Sequence, residues 1–129
     1  MGKVFSIAEL SREFGITTRT VRFYEDKRLL FPKRDGNRRV FNTRDRVRLR
    51  LILRGKRLGF SLLEIREIID LYDKDPTEVK QLQQLIRVIR SHKNSLLLKL
   101  KDIKVTLKEL QNREQEYCKL LSKKAHLLN

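Results

Sequence analysis

At 129 residues with a net charge of +15 and a pI near 10.5, the chain suits one compact domain plus an appendage, and its charge calls for an anionic partner. One cysteine, Cys118, excludes an intrachain disulfide and points to a reducing compartment. No apolar run approaches the roughly 20 residues that span a bilayer, and the opening Met-Gly-Lys-Val-Phe-Ser lacks the apolar core of a signal peptide, so a cytoplasmic protein is expected.

The charge is uneven. Residues 1–58 hold 17 Lys and Arg against 6 Asp and Glu, whereas residues 59–129 hold 14 against 10. The first half is therefore the part expected to face a polyanion.

Ser6, with Glu9 three residues on, forms a capping box that opens a helix over 6–14. Ile7, Leu10 and Phe14 share one face of it, and Gly15 supplies the left-handed turn that ends it. Thr17 or Thr18 caps the next helix. Val21, with Tyr24 or Leu29, turns inward, while Arg19, Arg22 and the leading threonines face out. A short helix, a glycine turn and a basic helix in under 25 residues is the spacing of a helix-turn-helix. A merely solvated basic face is the competing reading of Arg19 and Arg22.

After Leu29-Leu30-Phe31-Pro32 the pattern changes. Asp35-Gly36 between Lys33-Arg34 and Arg38-Arg39-Val40-Phe41 predicts a small β-hairpin, a wing, with basic residues along its strands and tip. Such a ribbon can lie along a phosphate backbone or reach into a minor groove, and a flexible basic loop is its alternative. Asn42 or Thr43 caps a third helix reaching about Arg57. Val47, Leu51 and Arg54 or Leu58 are read as one side of it, with Leu49, Ile52 and Leu53 close by. Arg44, Arg46, Arg48, Arg50, Arg54, Lys56 and Arg57 occupy much of the remainder. Gly59 stops this helix, and a second capping box, Ser61 with Glu64, starts a fourth helix carrying Leu62, Leu63, Ile65, Ile68, Ile69 and Tyr72.

Pro76 is read as the start of the last element. From Thr77 to Leu121 there is neither Gly nor Pro, and Leu82, Ile89, Leu96, Ile103, Leu110 and Tyr117 recur at seven-residue steps. A second series runs through Ile86, Lys93, Leu100, Leu107, Glu114 and Leu121. These form the a/d seam of a coiled coil, interrupted at Lys93 and Glu114. A helix of this length cannot bury the stripe in so small a head, so pairing with a second copy is expected, with Leu82, Ile86, Ile89, Leu96, Leu100, Ile103, Leu107 and Leu110 as dimerisation residues. An antiparallel pairing lets Lys93 and Glu114 approach across the seam.

Phe5-Ser6-Ile7-Ala8-Glu9-Leu10, Thr18 to Glu25 with Arg22-Phe23-Tyr24-Glu25 most specific, the Leu29-Leu30-x-Pro32 step, Arg39-x-Phe41 and the terminal coil together resemble the MerR family of bacterial transcription regulators. The stretch Leu51 to Leu62 resembles a subgroup that controls branched-chain amino-acid and fatty-acid catabolism. The resemblance implies an all-α fold with a small β wing: a winged helix-turn-helix head over 1–75, an antiparallel coiled-coil dimerisation helix over 76–121 and a basic tail over 122–129. It further implies binding to a pseudo-palindromic promoter spacer, which is bent and untwisted so that RNA polymerase engages both promoter elements. Carried over by position, Thr18, Arg19, Arg22 and Tyr24 lie on the recognition helix and Arg39 is the wing arginine. The wing tyrosines of the family pattern are replaced here by Arg38 and Phe41, which removes hydroxyl contacts and offers Arg38 to a phosphate instead.

No cofactor is expected. Family metal sensors use at least two cysteines at the far end of the coil, and Cys118 with His126 is a weak set for a soft metal, so Cys118 is read as an ordinary helix residue. With eight residues after Leu121, a small-molecule effector, if there is one, is expected at the junction of coil, fourth helix and head. An enzyme is excluded by the lack of a nucleophile set or a phosphate-cradling loop. The remaining competitors to a sequence-specific regulator are a non-specific architectural DNA binder, using the same basic head, and an adaptor whose coil is its function.

Overall fold

The computed structural model describes residues 2–75 and 77–128, with the backbone alone for Leu128. The helix start assigned to Pro76 thus lies outside the described residues. In chain order the elements are β1 (Val4–Phe5), α1 (Ile7–Phe14), α2 (Thr18–Asp26), β2 (Lys33–Asp35), β3 (Arg38–Asn42), α3 (Thr43–Arg57), α4 (Leu62–Lys74) and α5 (Val79–Leu128). The fold is mainly helical with one small antiparallel sheet, as the sequence implied.

Local chemistry sets the first two helices. The Ser6 hydroxyl accepts from the Glu9 amide at 3.0 Å and the Glu9 carboxylate accepts from the Ser6 amide at 3.0 Å, so two otherwise unpaired donors are satisfied at once. Gly15 ends α1 at φ 66°, a conformation that costs glycine nothing. Thr17 then caps α2 by accepting from the Thr20 amide at 3.1 Å. Only residues 15–17 separate the two helices, which is the tight turn the spacing called for.

The wing is a three-stranded sheet in the order β1-β3-β2, with Lys33, Arg34 and Asp35 opposite Val40, Arg39 and Arg38. Gly36 and Asn37 form the two-residue turn, and Gly36 takes φ 62° at its first position, where a type II′ hairpin favours glycine. The hairpin expected from the sequence is joined by β1, pairing Val4 with Asn42 and Phe5 with Phe41. Two residues carry no alternation, so β1 has no periodic signature of its own.

The inward face of α3 differs from the apolar stripe read from the sequence. Asp45, Arg48, Leu49, Ile52 and Gly55 are buried, while Arg54 and Leu58 are exposed and Val47 and Leu51 only half-buried. Arg48, counted with the solvent-facing arginines, is 7 % exposed. It turns inward because it has anions to meet: Nη1 lies 3.2 Å from Asp45 Oδ1 and Nη2 lies 2.7 Å from Asp73 Oδ2 on α4. At Gly55 the helices approach so closely that a Cβ would stand 2.9 Å from Ile65 Cγ1. The core behind the site gathers Leu10, Val21, Tyr24, Leu29, Leu30, Phe41, Leu49, Ile52, Ile65 and Ile69.

One surface brace has a pH signature. Arg46 Nε donates to both Glu13 oxygens at 2.8 Å, tying α3 to α1, and this guanidinium lowers the Glu13 carboxyl below its usual value of 4.5. A carboxyl depressed by folding stabilises fully above the unfolded value and loses that contribution as pH falls through the folded one. Thermal midpoints measured from pH 6 to pH 3 are expected to fall below about pH 4.5, and Glu13→Gln is expected to remove part of that fall. An identical pH profile for the variant would assign the acid sensitivity elsewhere.

By internal contacts the chain divides into Met1–Val88 and Ile89–Asn129. The opening of α5 belongs to the first unit: Gln81 and Val88 are buried and Gln84 Nε2 donates to Glu67 Oε2 at 3.2 Å. The contact boundary therefore falls inside α5, between Val88 and Ile89. The second unit is one helical stretch that continues through Leu121 to Leu128, so the basic residues after Leu121 are an end of that helix. Along it the side chains of Leu96, Leu100, Ile103, Leu107 and Leu110 are all exposed, by 46–63 %. Among the described residues no helix is long and apolar enough to cross a membrane.

Candidate nucleic-acid interface

The head presents two basic elements to solvent. On α2, Arg19 and Arg22 are exposed and Thr18 is half-buried, while Val21 and Tyr24 face the core. This division follows from helical spacing, since positions 21 and 24 share the buried side and 19 and 22 fall away from it. Arg22 Nη2 donates to Thr18 Oγ1 at 3.3 Å, which leans the arginine along the helix toward its N-terminal turn. Thr17 and Thr20 hydroxyls lie 2.9 Å apart beside it. The helix thus begins with a cluster of hydroxyls and guanidinium groups suited to base edges and phosphates.

Tyr24, assigned by resemblance to the contact surface, is 6 % exposed, and burial raises its phenol pKa. Its ring packs edge-on to Phe23 at 5.5 Å. The residue belongs chiefly to the core, and what it offers to the interface is the placement of α2.

On the wing, Arg38 is exposed and Arg39 half-buried. They neighbour each other on β3 and so point to opposite faces of the sheet. Arg39 is already engaged: its Nε lies 2.7 Å from Glu25 Oε2 on α2. Arg34 on β2 reaches the same carboxylate, with Nη2 3.2 Å from Oε1. Glu25 was read only as part of a motif, and its bond to residues 9 and 14 positions away has no sequence signature.

The C-terminal end of α2 is held as well. Arg66 on α4 donates through Nη2 to the Lys27 carbonyl, an interaction favoured where the helix exposes unpaired carbonyls. Thr18, Arg19, Arg22, Arg38 and Arg39 therefore all lie on α2 or the wing, which one carboxylate joins. Among the described residues no group of three or more His, Cys, Asp and Glu side chains is placed to hold a metal ion, and Cys118 is an exposed free thiol.

Comparison with known proteins identifies the family. The model of the MerR HTH family regulatory protein matches residues 5–71, and that described as MerR, DNA binding matches residues 46–113. The transcriptional regulator HmrR of Rhizobium leguminosarum is 42 % identical over 72 residues, 54 % of this chain and 56 % of that protein. The chain thus spans about half the length of that curated relative. Among solved structures, the lead(II) complex of the transcription regulator PbrR691 from Ralstonia metallidurans superposes with a TM-score of 0.67 at 26 % identity, covering 84 % of this chain and 83 % of that one. HiNmlR, a MerR family regulator bound to promoter DNA, shares the fold with a TM-score of 0.59 at 24 % identity, over 77 % of this chain and 76 % of that one. A winged, basic helix-turn-helix followed by a long terminal helix, matched over more than half the chain by the model of the MerR HTH family regulatory protein, shows that this chain belongs to the MerR family.

Proposed function

We propose that the protein acts as a homodimer that recognises a pseudo-palindromic promoter spacer and distorts it, controlling how RNA polymerase engages the two promoter elements. The observation that carries the reading is the exposed apolar seam of α5 in a chain whose other end displays Arg19 and Arg22 on a helix-turn-helix. An exposed leucine stripe at heptad spacing is stabilised by pairing with its copy, and a paired coil gives two recognition helices to one duplex. Arg19 and Arg22 enter the groove, Arg38 and Arg39 hold phosphates, and the phosphate grip makes spacer shape part of what is read. The Leu51–Leu62 block supports a regulon in branched-chain amino-acid or fatty-acid catabolism. A small-molecule effector, where one acts, would bias the distortion.

The test is a titration of the purified protein against its own gene's upstream region and a scrambled duplex, each at two salt concentrations. A specific regulator prefers the upstream duplex well beyond the scrambled one, whereas an architectural binder shows equal, steeply salt-dependent affinities. Arg22→Ala is expected to weaken binding to the preferred duplex by about 1–3 kcal/mol while leaving the fold intact. Unaltered affinity at matched salt would remove Arg22 from the reading surface. An occupancy map with sites upstream of branched-chain or fatty-acid catabolism genes would support the regulon, and sites elsewhere would refute it.

A further inference from the structure

We infer that Glu25 is a specificity-determining positioning residue, whose carboxylate fixes the wing on the recognition helix and aims the Arg39 guanidinium at a phosphate. The inference rests on the DNA-binding reading above and adds to it a residue that touches no DNA. Glu25 lies in the last turn of α2, and its oxygens meet both wing strands: Arg39 Nε at 2.7 Å on Oε2 and Arg34 Nη2 at 3.2 Å on Oε1. Arg34 and Arg39 are themselves cross-strand partners, so the carboxylate grips the hairpin at one rung of its ladder. The Glu25 and Arg39 side chains are 18 % and 21 % exposed, a setting in which charge-assisted bonds hold geometry better than at an open surface.

The way Arg39 is held also matters. Glu25 engages it through Nε alone among the described residues, which leaves both Nη groups to donate elsewhere. A guanidinium pinned at one edge presents the other edge in a set direction, so less freedom is lost when a phosphate arrives. A carboxylate beside a phosphate-binding surface repels the duplex in general. Its presence there is accounted for if it trades affinity for all DNA against simultaneous fit of helix and wing on the right DNA. Two arms on one duplex reinforce each other only when their spacing matches the site.

The experiment uses the full-length protein. Wild type, Glu25→Gln and Arg39→Lys are each taken through selection from a random duplex pool, then titrated on the wild-type winner and on its scrambled version across a salt series. For Glu25→Gln the ratio of selected to scrambled affinity is expected to fall about tenfold, with scrambled affinity held or raised and a steeper salt dependence as Arg34 and Arg39 are released. Arg39→Lys keeps the charge but has no second edge to offer, and the same fall in ratio is expected from it. A purely structural role would instead lower both affinities together without changing the salt slope, and that result overturns the inference. So does an unchanged ratio in both variants while wild type selects a defined site, which leaves the regulator reading standing. A wild type that selects no sequence overturns the regulator reading and this inference with it.

Discussion

Asp45→Ala is expected to destabilise the head by about 3–5 kcal/mol, read as a lower urea midpoint at unchanged slope. Asp45 is 1 % exposed and its two oxygens serve three donors. Oδ1 accepts from the Phe31 amide at 3.3 Å and from Arg48 Nη1 at 3.2 Å, and Oδ2 accepts from the Asn42 amide at 3.1 Å. Its own amide donates to Asn42 Oδ1 at 2.8 Å, which completes the capping box of α3. Removing the carboxylate therefore opens the helix cap, strands two backbone donors and leaves the buried Arg48 with Asp73 as its remaining ion-pair partner among the described residues. Arg48 has little slack, because its Nε already lacks a hydrogen-bond partner among the described residues. In Asp45→Ala/Arg48→Met the uncompensated charge is gone, so the double variant is expected to be more stable than the sum of the single changes. A single-variant loss under about 1 kcal/mol would show that the network is relaxed by solvent and that the core alone holds α3.

The second large effect concerns assembly. Leu100→Asp/Leu107→Asp places two carboxylates one heptad apart on the α5 seam, at side chains now 46 % and 52 % exposed. In the single helix these are surface changes and the head is expected to melt as before. In a paired coil each aspartate must be buried against the partner's apolar residues, at a cost of several kcal/mol. Sedimentation is expected to show the mass fall from twice 15.5 kDa to that value, and affinity for a palindromic duplex to drop by about a thousandfold as two linked heads become one. A variant that still sediments as a dimer would place the interface on another face.

Where the sequence spoke through local chemistry, it spoke accurately. The capping boxes at Ser6 and Ser61 and the left-handed stop at Gly15 depend on neighbours three or four residues apart, and all three are found. The hairpin turn was legible for the same reason, although its central residues are Gly36 and Asn37 rather than the Asp-Gly pair that signalled it. The inward face of α3 was not legible, because apolar periodicity gives a charged residue to solvent unless its partner is known. Arg48 is buried by Asp45 nearby and by Asp73 25 residues on, and Gly55 by the approach of Ile65. The site divides in the same way. The outward Arg19 and Arg22 and the inward Tyr24 follow from helical spacing, while the engagement of Arg39 by Glu25 depends on how the wing closes against α2.

The position of the seam along the chain gives the molecule an order of birth. Every residue of the head's buried core lies before Ile89, so during synthesis the reading surface can close while the exposed seam residues from Ile89 onward are still within the ribosome. Folding of the head is then a first-order event in a single nascent chain, whereas the proposed pairing of the leucine stripe is second-order and depends on how many finished copies surround it. With the proposed pairing, a cell that makes little of the protein would hold folded heads with unpaired helices, and doubling its output would more than double the number of two-headed molecules.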